Sequence, residues 1–126
     1  MNEIELKIIK EKALEDHIPI IMDDTLEVID KILKETKPKA ILEIGTAVGY
    51  SAMCFSRYLA EGGKIDTIER EHERVEEAKV NIQKVGVADK INILEGDAVE
   101  MVVHADTETP LYLSLIHISE PTRPRL

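Results

Sequence analysis

Cysteine is nearly missing from this sequence: Cys54 is the one thiol in 126 residues, so an internal disulfide is excluded. No positively charged opening followed by an apolar h-region begins the chain, which sets the expectation of a reducing cytoplasmic location. Runs of about 20 apolar residues are also missing, and a helical membrane span is not expected. Basic residues are outnumbered, 16 Lys and Arg against 25 Asp and Glu, for a formal charge of -9. That balance argues against a general binder of phosphate backbones, although it leaves open a basic patch formed in the folded or oligomeric state. Aromatic residues make up 3% of the chain and Trp is absent. Two nucleotide-binding signatures are lacking as well. Ala47 stands where G-x-G-x-x-G needs its second glycine, and no Gly-Lys-Ser or Gly-Lys-Thr ending marks a P-loop.

What is present is the profile of one small soluble domain, 44% hydrophobic and 33% charged. Its central stretch is Ile41-Leu42-Glu43-Ile44-Gly45-Thr46-Ala47-Val48-Gly49-Tyr50-Ser51. The branched apolar run from Ala40 to Ile44 reads as a buried parallel strand. It breaks into a turn with Gly45 and Gly49, and a helical segment starts at about Tyr50. Strand, glycine turn and helix in that order form the first unit of a nucleotide-binding α/β fold. Glycine allows close backbone approach, and the helix N-terminus offers free N–H groups. A tight turn between any strand and helix is the plainer alternative.

Upstream, Ile4, Ile8, Ile9, Ala13 and Leu14 recur at helical spacing and predict an amphipathic helix from Asn2 to about Asp16. His17-Ile18-Pro19 ends it, with His17 in a connecting turn. Asp23-Asp24-Thr25 offers an N-cap, with Glu27 completing a capping box to Asp24, and Leu26, Ile29, Ile32 and Leu33 supply the stripe of a second helix. Downstream, the helix after the glycine turn is expected to end at a left-handed Gly62-Gly63 cap. Cys54 packs inside it.

Lys64 to Ile68 reads as the second strand and finishes at Glu69, 24 positions beyond Gly45. An acidic side chain there accepts hydrogen bonds from both ribose hydroxyls of a nucleotide; taken alone, Glu69 equally suits the neighbourhood of a helix N-cap. Val75, Ala78, Ile82 and Val85 define a helix closed by Gly86, with His72 solvated in its first turn. Ile91 to Leu94 forms a third strand, closed by Glu95-Gly96-Asp97-Ala98, which an ordinary Gly-Asp turn also explains. A short helix from Val99 to about His104 follows.

The pattern Glu43-x-Gly45-Thr46-x-x-Gly49-Tyr50-Ser51 resembles the S-adenosylmethionine loop of class I O-methyltransferases, which include the catechol and caffeoyl-CoA enzymes. With His17 to Ile21, Ile68-Glu69-Arg70, Glu76-Glu77-Ala78 and Gly96-Asp97-Ala98 added, roughly residues 3 to 112 resemble the bacterial tRNA 5-hydroxyuridine methyltransferases, of the cation-dependent O-methyltransferase group. The resemblance implies a Rossmann-like class I methyltransferase fold, here its N-terminal half: two helices, then about three parallel strands with helices. It also implies a cofactor site. Ile21 lines it, Ser51 contacts the methionine part, Glu69 holds the ribose, Asp97 and Ala98 frame the adenine, and Glu43 and Gly45 shape the loop. The acceptor is expected to be tRNA, with a catechol-like small molecule as the alternative, and the intact assembly a homodimer.

After Tyr112 the family's Asp-Ala-Ala-Lys-Gly segment and later Asp-Asn pair do not occur. Those residues carry a divalent cation, such as magnesium, and a lysine near the acceptor, so no catalytic or metal-binding residue is assigned here. The string from Leu113 to Arg123 instead resembles the translation of a transposase-type adapter used in sequencing libraries. The expected division is therefore a helical segment 1–36, a cofactor-binding half-domain 37–112 and a non-native tail 113–126. The chain itself is expected to be inert or a weak nucleotide-binding module, marginally stable because three strands leave an unfinished sheet edge.

Overall fold

The computed structural model describes residues 1–100 in full and the backbone of 101–103 and 115–117. Helices α1 (Glu3–Glu15) and α2 (Asp23–Thr36) precede strand β1 (Ala40–Ile44). There follow α3 (Tyr50–Phe55), a 3-10 turn at Ser56–Tyr58, β2 (Lys64–Glu69), α4 (His72–Val85), β3 (Ile91–Glu95), α5 (Ala98–Val103) and β4 (Leu115–His117).

The described strands form one parallel sheet in the order β3-β2-β1-β4. Parallel neighbours need crossovers, and the helices supply them, covering both faces of the central strand while β3 stays partly exposed. That explains why β1 is buried along its middle rather than alternating in and out. The register places Ile44 opposite Ile68 and Glu69 opposite Glu95, so β1, β2 and β3 end along one edge of the sheet.

To the three expected strands the structure adds β4, within the stretch read as a non-native tail. Leu115 and Ile116 sit in register with Leu42 and Glu43, so β1 is paired on both sides. Val103 is the last described residue of α5, and His104, where that helix was expected to end, lies outside the described residues.

Leu6, Ile9, Ala13 and Leu33 share one core cluster with Ile41, Met53, Phe55, Ile65, Ile82 and Ile91. The helices of residues 1–36 thus close the same core as the sheet, and α1 reaches it between α3 and α4. Leu33, Ile41, Met53, Phe55 and Ile65 are at most 2% exposed. Each such side chain contributes roughly 1.5–3 kcal/mol by leaving water.

The expected helix faces need correction. In α1 the buried stripe is Leu6, Ile9 and Ala13, whereas Ile4, Ile8 and Leu14 lie outside. Both sets have helical periodicity, and only the contact with α3 and α4 decides between them. In α2 Leu33 is buried and Ile32 is exposed. The capping box is not formed either: Met22 occupies the N-cap, helix geometry already holds at Asp23, and Asp24 Oδ1 accepts from Thr25 N–H at 2.8 Å. Nor does Gly62 cap α3. The helix tightens into its 3-10 turn and leaves through extended Leu59, and Gly62, at φ +76, serves the later turn into β2.

Candidate functional site

Where β1 ends, the chain must turn sharply enough to enter α3 over the sheet edge. Three left-handed residues do this, Gly45 at φ +95, Ala47 at φ +49 and Gly49 at φ +89. Glycine takes such angles freely, while an L-residue pays roughly 1–2 kcal/mol, so Ala47 needs an anchor. It has one: its N–H donates to Glu69 Oε1 at 3.0 Å. Glu69 Oε2 accepts from Glu71 N–H at 3.1 Å. The half-buried Glu69 carboxylate therefore holds the loop on one side and the approach to α4 on the other.

The rest of the loop is tied just as closely. Gly45 N–H continues the sheet ladder to Ile68 O at 2.9 Å, and Gly49 N–H closes a turn on Thr46 O at 2.8 Å. Asn81 of α4 donates its amide to Val48 O at 3.0 Å. A Cβ on Gly49 would lie 3.5 Å from that of Ala78, ordinary contact, so its φ rather than lack of space calls for glycine.

Beneath the loop sits a polar network that the apolar strand pattern concealed. Glu43 has no exposed surface. Ser51 donates to its Oε2, and Thr67 donates to its Oε1 at 2.6 Å. Thr67 Oγ1 also lies 2.7 Å from Thr46 Oγ1. Burial pushes the Glu43 carboxyl up to about 7; the Ser51 and Thr67 hydrogen bonds oppose the rise and the Glu69 charge adds to it. Thr46 stood in the glycine-loop pattern, whereas its partner Thr67 was not singled out from the sequence. The available signal for Thr67 was a hydroxyl within the Ile65 to Ile68 run, two residues before β2 ends at Glu69.

The remaining expected residues fall into two groups. Asp97 and Ala98 follow β3, next to the end of β2 through the Gly96 N–H to Glu69 O bond of 2.9 Å. Asp97 Oδ1 accepts from Val99 and Glu100 N–H at 2.9 and 3.2 Å, so this side chain caps α5. Gly45, Glu69, Asp97 and Ala98 thus lie at or just past three successive strand ends, with Glu43 buried beneath the first and Ser51 in the first turn of α3. Ile21 comes from the segment between α1 and α2 and is buried in the core cluster. His72 is exposed and its Nδ1 lies 3.0 Å from Glu95 Oε1, a hydrogen bond that raises its pKa.

A nucleotide cofactor suits this edge. The left-handed loop presents backbone, and each Glu69 oxygen retains a second acceptor position beyond the bond it makes. A divalent cation does not suit it: among the described residues no three His, Cys, Asp or Glu side chains converge.

A parallel sheet with a glycine loop at the end of β1 and an acid at the end of β2 is a Rossmann-like nucleotide-binding arrangement. Two solved structures share it. One is the O-methyltransferase TomG from Streptomyces achromogenes, solved with SAM, at a TM-score of 0.79 and 23% identity, covering 91% of this chain and 53% of that one. The other is a Staphylococcus aureus protein provisionally assigned as a caffeoyl-CoA O-methyltransferase, at a TM-score of 0.73 and 32% identity, covering 79% of this chain and 47% of that one. The chain belongs to the O-methyltransferase family, whose pattern matches residues 35–118. A catechol O-methyltransferase from Mycobacterium tuberculosis is 36% identical over 62 residues, 49% of this chain and 28% of the relative. Caffeoyl-CoA O-methyltransferase 1 from Eucalyptus globulus is 35% identical over 79 residues, 63% of this chain and 32% of the relative. The chain therefore spans about half the length of the solved structures and about three tenths of these relatives. Among the described residues no helix is long and apolar enough to cross a membrane.

Proposed function

We propose that this chain binds S-adenosylmethionine over the Gly45–Gly49 loop and belongs to an enzyme that transfers the methyl group to an oxygen. The observation that carries the reading is the junction of Ala47 N–H with Glu69 Oε1, which brings the glycine loop and the strand-end acid to one edge. When bound, the cofactor supplies a methyl group activated on a sulfonium. The chain's own residues serve the donor. Glu69 accepts from the ribose hydroxyls, Ser51 and Ile21 flank the methionine part, and Asp97 and Ala98 border the adenine. Such alignment of donor and acceptor accounts for several kcal/mol of a barrier.

For the acceptor, the catechol and caffeoyl-CoA relatives favour a small hydroxylated aromatic molecule. The second reading is 5-hydroxyuridine in tRNA, favoured by the resemblance of His17-Ile18-Pro19-Ile20-Ile21. A homodimer and a divalent cation belong to the proposal for the full-length enzyme. This chain, with no metal ligand set among the described residues, acts as the donor-binding part.

Calorimetric titration of S-adenosylhomocysteine into the 126-residue chain tests the reading, with Glu69→Ala as control. Saturable binding weakened at least tenfold by the control is expected. Absence of binding by a folded wild-type chain, or equal binding by both, overturns it.

A further inference from the structure

The network under the loop has a direction, because a threonine hydroxyl carries one proton. Glu43, Thr46 and Thr67 are at most 1% exposed and Ser51 is 5% exposed. Above about pH 7, where Glu43 is ionised, the proton between Thr67 Oγ1 and Glu43 Oε1 comes from Thr67, so the one between the two threonines comes from Thr46. Ser51 donates to the other carboxylate oxygen. The chain of donors runs from Thr46 through Thr67 to Glu43, with Ser51 closing it, and crosses the loop, β2, β1 and α3. Each member polarises the next in a site of low dielectric.

We propose that Thr67 is a positioning residue of the cofactor loop, holding Glu43 on β1 and Thr46 on the loop through one hydroxyl group. It rests on the reading of that loop as the cofactor site. Thr67 touches no ligand itself. Its hydroxyl sets the height of Thr46, and through Glu43 it fixes the rotamer of Ser51. The charged group that faces Glu43 is Glu69 on β2, and its repulsion makes the two hydroxyl donors more necessary.

The test compares wild type, Thr67→Val and Thr67→Ser in the full chain by two measurements. Amide hydrogen exchange without ligand reads the loop: Thr67→Val is expected to speed exchange at residues 46–49 at least tenfold while leaving Leu42 and Ile65 unchanged, and Thr67→Ser to restore protection. Titration with S-adenosylhomocysteine between pH 5.5 and 8.5 reads the site. Thr67→Val is expected to bind about tenfold more weakly. The pH midpoint of its affinity is expected to move up by about one unit, because the carboxylate has lost a donor. Thr67→Ser is expected to recover both.

Unchanged loop exchange in Thr67→Val overturns the positioning role. So does equal loss in both variants with faster exchange throughout the core, which is a packing effect. Failure of the wild type to bind overturns the cofactor reading instead, and the exchange result still decides whether Thr67 holds the loop.

Discussion

Glu69 Oε1 accepts the Ala47 N–H across 3.0 Å, and this bond fastens the tip of the β1 loop to the end of β2. The second oxygen of the same carboxylate receives Glu71 N–H, so loop and α4 approach are held by one side chain. Replacing Glu69 by Gln keeps the shape but offers one acceptor where two are needed, and the amide then faces an N–H. The expected loss is about 1 kcal/mol of stability, the low end for an unpaired donor because the site is half-exposed. Urea unfolding of Glu69→Gln beside wild type measures it, and an unchanged midpoint contradicts the dual role.

Gly49 is needed for its angle. At φ +89 an added Cβ meets Ala78 and Ile82 at ordinary contact distance, so Gly49→Ala costs about 1–2 kcal/mol through backbone strain alone. A drop of roughly 4–8 °C in Tm is expected for a chain of this size, with weaker S-adenosylhomocysteine binding. Gly86→Ala serves as comparison, having φ +87 and open space around it. Similar Tm losses in both, with binding weakened only by Gly49→Ala, match the argument.

Cys54 is 1% exposed, and burial pushes its thiol up to about 11, partly offset by a hydrogen bond with Tyr50. The thiolate is the reactive form, so at pH 8 this cysteine is expected to resist alkylation in the folded chain and to react completely in urea. Rapid labelling of the native chain contradicts the packing role.

The site was legible where its chemistry depends on local pattern. Gly45 and Gly49 announce a turn because few residues take left-handed angles, and Glu69 stands out as an acid ending an apolar strand. The meeting of Thr46 with Thr67 was not legible, because it joins residues 21 apart and depends on the parallel register between β1 and β2. The inward face of α1 was ambiguous for a similar reason: Ile4 and Ile8 are as apolar as Leu6 and Ile9, and packing against α3 and α4 selects the second pair. Likewise, the short strand Leu115–His117 does not state in its own residues that it pairs with β1.

Glu43 offers the most direct test of how the buried network trades charge against hydrogen bonds. Its carboxyl binds a proton up to about pH 7 in the folded chain, against 4.5 for the ordinary side chain, because burial outweighs the two hydroxyl donors. Between those values the folded state holds more protons than the unfolded one, so stability from this group is full below about 4.5 and falls as pH rises toward 7. The shift corresponds to roughly 3 kcal/mol. His72 slopes the same way, since a histidine whose pKa is raised by Glu95 loses its contribution as it deprotonates, so wild type alone does not isolate Glu43. Glu43→Gln does, because the amide stays neutral while the Ser51 and Thr67 hydroxyls can rotate to meet it. Urea unfolding at pH 5 and pH 8 is expected to show wild type losing more stability than Glu43→Gln across that interval. Equal losses mean that Glu43 remains ionised throughout and that its two donors outweigh burial.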